Sequence, residues 1–211
     1  MAKNFDKVAI FYDSIAKLIF GKTIRLAQTN MLQAIPPGSR ILIVGGGTGW
    51  ILEELSIVHG TGLRITYIDS SAKMISLAKK KYAANNRVKF ITESIKTAPL
   101  SGTYNVIITP FFFDVFTPYN ALQVFEKLHR HVNENSLWLY SDFNCKQETK
   151  FSQKALLKIM YLFFRIVCGI EAKTLPDIDS YFTKFGYKVA LERKFLENFI
   201  VSRVYQPPLV Q

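Results

Sequence analysis

The sequence predicts an α/β fold: a doubly wound, mostly parallel seven-stranded sheet with helices on both faces and an antiparallel C-terminal hairpin. Three observations predict it. From Arg40 onward, short apolar runs alternate with stretches of helical periodicity. The first run stops at a glycine cluster just before a helix-like pattern, "RILIVGGGTGWILEE" (40–54). The last two runs, Tyr187–Phe195 and Phe199–Tyr205, have only a short "LEN" turn between them, so they pair as a hairpin at one edge.

Residues 5–34 read as one or two helices, closed by "IPPGS" (35–39), where two prolines and a glycine punctuate the chain. Ile41–Val44 is a short buried strand. Thr48–Val58 is helical, with Ile51, Leu52, Leu55 and Val58 on one face. Leu63–Ile68 is a second strand. Ser70 caps a helix reaching Tyr82, with Ala72, Ile75, Ala78 and Tyr82 as its apolar face. Val88–Ile91 and Tyr104–Thr109 are the third and fourth strands. Pro118 suits the first turn of a helix reaching His131. Ser136–Ser141 is the fifth strand. Lys150–Val167 is helical, and Ile178–Phe185 is a short helix stopped by Gly186.

The chain of 211 residues is long enough for one domain with a sizeable core. At 49% hydrophobic and 20% charged residues it reads as globular. Its segments are 1–36, an N-terminal helical lid; 37–143, a ligand-binding core; 144–186, a helical insert; and 187–211, the hairpin. The N-terminus lacks the apolar run of a signal peptide, and the stretch Ala155–Ile170 is broken by Lys158 and Arg165. Cys145 and Cys168 show no metal or redox spacing, so free thiols, a cytoplasmic location and no metal site are expected. A formal net charge of +11 suits an anionic partner, and equally a solvated basic surface.

The glycine loop selects among ligands. Gly45, Gly47 and Gly49 form G-x-G-x-G. A dinucleotide fingerprint needs a third glycine at position 50, where Trp50 stands. A phosphate-binding G-x-x-x-x-G-K-[ST] loop fails too, because Trp50 and Ile51 replace Gly and Lys. The loop therefore suits a ligand without a pyrophosphate. Asp69 ends the second strand, where a carboxylate accepts hydrogen bonds from both hydroxyls of a ribose.

With these features the chain resembles the Rossmann-like class I S-adenosylmethionine-dependent methyltransferases. The resemblance is carried by "ILIVGGGTG" (41–49), "YIDSSAKMISLAKKK" (67–81), "VKFITESI" (88–95), "YNVIITPFF" (104–112) and "NSLWLYSDF" (135–143). Within the family it is most similar to small-molecule, ubiquinone/menaquinone C-methyltransferase-like members. The resemblance implies S-adenosylmethionine as cofactor. Gly45, Gly46, Gly47 and Gly49 pass close to its methionine part. Asp69 holds the ribose, Ser70 and Ser94 stand by the adenine, and Ile95 meets the ring through its backbone. Thr109 and Pro110 line the floor near the sulfonium, and Tyr12 in "FYD" belongs to the lid. Two positions depart from the family pattern: Ile43 stands where an acid precedes the loop, and Ser94 where Asp is usual, with Glu93 beside it.

Methyl transfer demands placement of a nucleophile and exclusion of water, not a fixed catalytic motif. "TPFF" (109–112) lacks the features of nucleobase amino-methylating enzymes, and no cysteine stands there for cytosine C5 chemistry, so DNA is not an expected partner. The catalytic residue is unassigned, with Asp114 and Tyr12 as candidates. Asp114 equally suits a helix cap. Phenylalanines 111–113 suit a pocket wall or ordinary core packing. In the insert, Lys150, Lys154, Lys158 and Arg165 share one helix face, while Leu156, Ile159, Met160, Phe163 and Val167 share the other. That helix suits packing on the sheet, or a lid that touches acidic lipid. The expected activity is methylation of a small, largely apolar molecule. The alternatives are an RNA methyltransferase, from the charge, and a non-catalytic cofactor-binding module, from the departures at Ile43 and Ser94.

Overall fold

The computed structural model describes residues 5–145 and 149–208. Residues 1–4, 146–148 and 209–211, which the predicted lid, insert and hairpin segments include, lie outside the described residues. A turn at Phe5–Lys7 leads into α1 (Tyr12–Phe20) and α2 (Thr23–Thr29). Then come β1 (Arg40–Val44), α3 (Trp50–Val58), β2 (Thr61–Asp69), α4 (Ala72–Ala78) and β3 (Asn85–Thr92). They are followed by β4 (Val106–Pro110), α5 (Pro118–His129), β5 (Leu137–Phe143), α6 (Phe151–Cys168), α7 (Ile178–Lys184), β6 (Lys188–Phe195) and β7 (Ile200–Gln206).

One seven-stranded sheet runs in the order β3-β2-β1-β4-β5-β7-β6. The pairs among β1 to β5 are parallel, and β7 runs antiparallel between β5 and β6. The predicted architecture is therefore the observed one. Strand β1 shows why both faces need helices. Leu42 and Val44 enter one core with Ile107, Phe113, Phe125 and Trp138. Ile41 and Ile43 enter the other with Ile51, Leu55, Ile65 and Tyr67. Continuous apolar strands of this kind are stable only when covered on both sides. The edge strands β3 and β6 instead carry exposed charge, at Arg87 and Lys89 and at Lys188 and Lys194, which discourages further strand pairing.

Several local expectations change. The helix after β2 is capped by Ser71, whose Oγ accepts the Met74 N–H at 3.1 Å, and not by Ser70. It ends at Ala78, short of Tyr82, as the lysine run begins. No helix fills residues 93–105 between β3 and β4, where Pro99 and Gly102 interrupt the chain. Helix α5 is capped by Thr117, whose Oγ1 accepts the Asn120 N–H at 3.4 Å, and not by Asp114. Helix α6 buries Leu157, Tyr161 and Cys168, and of its predicted apolar face Leu156, Met160 and Val167 pack against the same cluster. Ile159 and Phe163 are exposed, on the far side from Leu157 and Tyr161, whose hydroxyl donates to the Asp114 carbonyl at 3.0 Å.

The strand order reverses between β1 and β4. A crevice opens there at the carboxyl ends of the strands, the usual place for a ligand in such sheets.

Candidate functional site

A cavity of about 870 Å³ occupies this crevice. Its sheet side is made by the loop after β1, the ends of β2 and β3, and the segment after β4. Its other side is made by α1, α2, Phe5 and Phe164.

The glycine loop is shaped by close approach. A Cβ at Gly45 would lie 2.5 Å from Phe112 Cδ2, and one at Gly46 would run into the Tyr67 hydroxyl. That hydroxyl donates to the Gly47 carbonyl at 3.1 Å. Gly47 differs from its neighbours. Its φ is +63°, and a Cβ there would meet nothing within 4 Å. The backbone at Gly47 thus faces open cavity, in a conformation that side-chain-bearing residues rarely adopt.

Asp69 stands directly beneath. Its Oδ2 accepts the Gly47 N–H at 3.1 Å, and its Oδ1 accepts the Ser71 N–H at 2.9 Å. Burial raises its pKa above the ordinary carboxylate value, while the Ser71 and Gly47 amides oppose the shift. Each carboxylate oxygen carries two acceptor sites, so both keep capacity for a ligand's hydroxyls.

The segment after β4 splits its three phenylalanines. Phe111, held at φ +47°, and Phe112 line the cavity, whereas Phe113 is fully buried in the core. A bulky residue in the left-handed region is a strained arrangement of the kind that clusters at functional sites. The Phe111 N–H donates to the Ser141 carbonyl at 2.7 Å, which anchors the turn to β5. Asp114 follows and faces the cavity. Below it lies Asp142, at 1% exposure, accepting the Phe143 N–H at 2.8 Å and the Phe113 N–H at 3.2 Å. Burial, then the charge of Asp114, pushes Asp142 well above the usual carboxylate range. The Tyr12 and Tyr161 phenols are pushed up by burial first and by Asp114 second.

The helical side is pinned by side chains. The Thr48 hydroxyl donates to Asp13 Oδ2 at 2.8 Å. Asp6 Oδ1 accepts from the Ser71 hydroxyl at 2.5 Å and from the Lys73 N–H at 3.0 Å. The Phe5 and Tyr12 rings pack against Phe164 of α6, at 6.1 and 6.4 Å between centroids.

Of the residues expected at a site, Tyr12, Gly45, Gly46, Gly47, Asp69, Ser70, Ser94, Ile95, Pro110 and Asp114 all line this one cavity. Gly49 and Thr109 do not. Gly49 faces α4, where a Cβ would lie 2.5 Å from Ala78 Cα, so it lets two helices meet. Thr109 is wholly buried, and its Oγ1 accepts the Trp138 indole N–H at 3.0 Å. The cavity also holds residues that sequence reasoning passed over: Asp13, Arg25, Glu54 and Glu171. Asp142 was missed as well, beneath it. Asp13 is the last residue of the quoted "FYD", but only tertiary packing brings it to the loop. Among the described residues, no group of three or more His, Cys, Asp or Glu is placed to hold a metal ion. No helix among the described residues is long and apolar enough to cross a membrane.

A glycine turn and a strand-end acid at the switch point define an α/β protein built to hold a ligand at that crevice. Residues 41–135 match the family model described as a methyltransferase domain. The malonyl-[acyl-carrier protein] O-methyltransferase of Bacillus anthracis is 32% identical over 150 residues, which are 71% of this chain and 54% of that relative. The chain thus spans about half the length of that curated relative. The mitomycin 7-O-methyltransferase MmcR superimposes with a TM-score of 0.69 at 11% identity, over 97% of this chain and 61% of that one. The magnesium protoporphyrin IX methyltransferase of Synechocystis PCC 6803, solved with bound SAH, gives 0.61 at 20% identity, over 88% and 84%. Residues 41–135 are thus a methyltransferase domain, and the chain carries the fold of the S-adenosylmethionine-dependent methyltransferases it superimposes on.

Proposed function

We propose that this chain binds S-adenosylmethionine in the cavity and methylates a small acceptor with an apolar body. The observation that carries the reading is the pairing of Gly47 with Asp69. Open space lies over a left-handed glycine, and a strand-end carboxylate with spare acceptor capacity sits beside it. In this reading Asp69 takes the ribose hydroxyls. Ile95 supports the adenine, with Ser70 and Ser94 at its edge. The cofactor, when bound, supplies an electrophilic methyl group on a sulfonium.

The chain's own residues do the rest. Tyr12, Phe111 and Phe164 exclude water from the reacting end. Asp114 is placed to accept a proton from an acidic O–H or C–H acceptor. A carboxylate acceptor would need no such base, since its oxygen is already a nucleophile. The curated relative that acts on a malonyl thioester makes a carboxyl-bearing acyl thioester the first acceptor to test.

The test uses methyl-labelled S-adenosylmethionine with a malonyl thioester and, separately, with an apolar phenol. Label in a small extractable product is expected. Label found only in RNA, with a steep salt dependence, would move the reading to the RNA alternative. Tight cofactor binding with no transfer to any acceptor would leave a non-catalytic binding module.

A second reading concerns α6, which has no acidic residue and leaves Ile159, Leu162 and Ile166 exposed beside Lys158 and Arg165. This face suits peripheral contact with anionic lipid, and sedimentation with anionic against neutral vesicles tests it.

A further inference from the structure

We infer that the amino-acid end of the cofactor is held from the helical side of the cavity, its ammonium by Asp13 and its carboxylate by Arg25. This inference rests on the proposed cofactor and names residues for a part of it that the sheet leaves unserved. An ammonium group beside the glycine loop needs an anionic partner, because a partly desolvated cation left unpaired is costly. Strand β1 supplies none: Ile43 is fully buried and packs into the core with Ile51 and Leu55.

The acids that line the cavity can be sorted by place. Asp69 ends β2, and the acceptor capacity it keeps is assigned above to the ribose hydroxyls. Glu93 follows β3, two strands away from β1, and Asp114 follows β4, in the segment proposed above to face the acceptor. Glu54 is in the second turn of α3, and Glu171 follows α6. Asp13 reaches the loop from the helical side, its Oδ2 taking the Thr48 hydroxyl at 2.8 Å. Arg25 lies close by, its guanidinium 5.2 Å over the ring of Trp50, the first residue of α3. A carboxylate at that point meets both the guanidinium and the α3 N-terminus.

The experiment compares two ligands on the full chain by calorimetry. S-adenosylhomocysteine carries the amino-acid end, and 5′-methylthioadenosine lacks it. Asp13→Asn keeps an oxygen that accepts from Thr48 but removes the charge. It should weaken S-adenosylhomocysteine about tenfold or more and change methylthioadenosine less than twofold. Arg25→Met should show the same selectivity, while Glu54→Gln should leave both ligands unchanged. Equal loss of both ligands in Asp13→Asn would mean that Asp13 only fastens α1 to the loop, and would overturn the inference. Unchanged binding of both would overturn it too. If the unaltered chain binds neither ligand, the cofactor reading itself fails, and that outcome is distinct from the selective ones.

Discussion

The two walls of the cavity are built differently. The sheet wall is made of backbone: a glycine turn wedged between Phe112, Tyr67 and Ala78, and strand ends held in register by parallel pairing. The helical wall is made of side chains: Asp6 on Ser71, Asp13 on Thr48, Tyr161 on the Asp114 carbonyl, and a few ring contacts at Phe164. The first wall has little freedom to adjust. The second consists of separable contacts, each worth about 1 kcal/mol. We read the sheet wall as the part that defines the ligand, and the helical wall as the part that closes over it.

Breaking the sheet wall should have the largest effect. Gly49→Val places a side chain against the Ala78 backbone at φ +84°. It should lower stability by about 3 kcal/mol or more, as read by denaturant unfolding. A loss below about 1 kcal/mol would show that α3 and α4 can separate freely. Asp69→Ala should leave the fold intact but weaken S-adenosylhomocysteine by about 1–3 kcal/mol in calorimetry, through the lost hydrogen bonds.

Asp142 sharpens the comparison from below the cavity. Its folded pKa is raised by burial, so folding favours its protonated form. That contribution is fully present below the unfolded value near 4, and is lost as pH rises towards the folded pKa. The stability of Asp142→Asn relative to the unaltered chain should therefore climb between pH 4 and pH 8, as read by denaturant unfolding. A flat difference would mean that the amides of Phe143 and Phe113 hold the ionised form without penalty. On the helical wall, Tyr161→Phe removes one hydrogen bond and should lower stability by only about 1 kcal/mol. A loss as large as that of Gly49→Val would erase the distinction between the walls.

The same contrast governs what was legible in the sequence. The sheet wall was readable because its signals are local: three glycines at a strand end, then an acid at the end of the next strand. The cap of α5 was misplaced at Asp114, although Pro118 at the first helical position points to Thr117 just before it. Thr109 was misplaced because register decides its face: it pairs with Tyr140 and turns its hydroxyl to Trp138. The helical wall was poorly readable because tertiary contacts choose its faces. Periodicity alone placed Ile159 and Phe163 inside, whereas Tyr161 and Phe164 make the contacts. Asp13 lies in the lid motif "FYD", where Tyr12 drew the attention, and Arg25 carries no sequence pattern that announces a ligand. They reach the cavity only because α1 and α2 fold over it.

The central claim is that Gly47 and Asp69 form the seat of an adenosine cofactor. Titration of the unaltered, folded chain with S-adenosylhomocysteine in a calorimeter tests it most directly. The account predicts saturable one-site binding in the micromolar range, about −8 kcal/mol or tighter. No binding at millimolar ligand, with the fold intact, would contradict it.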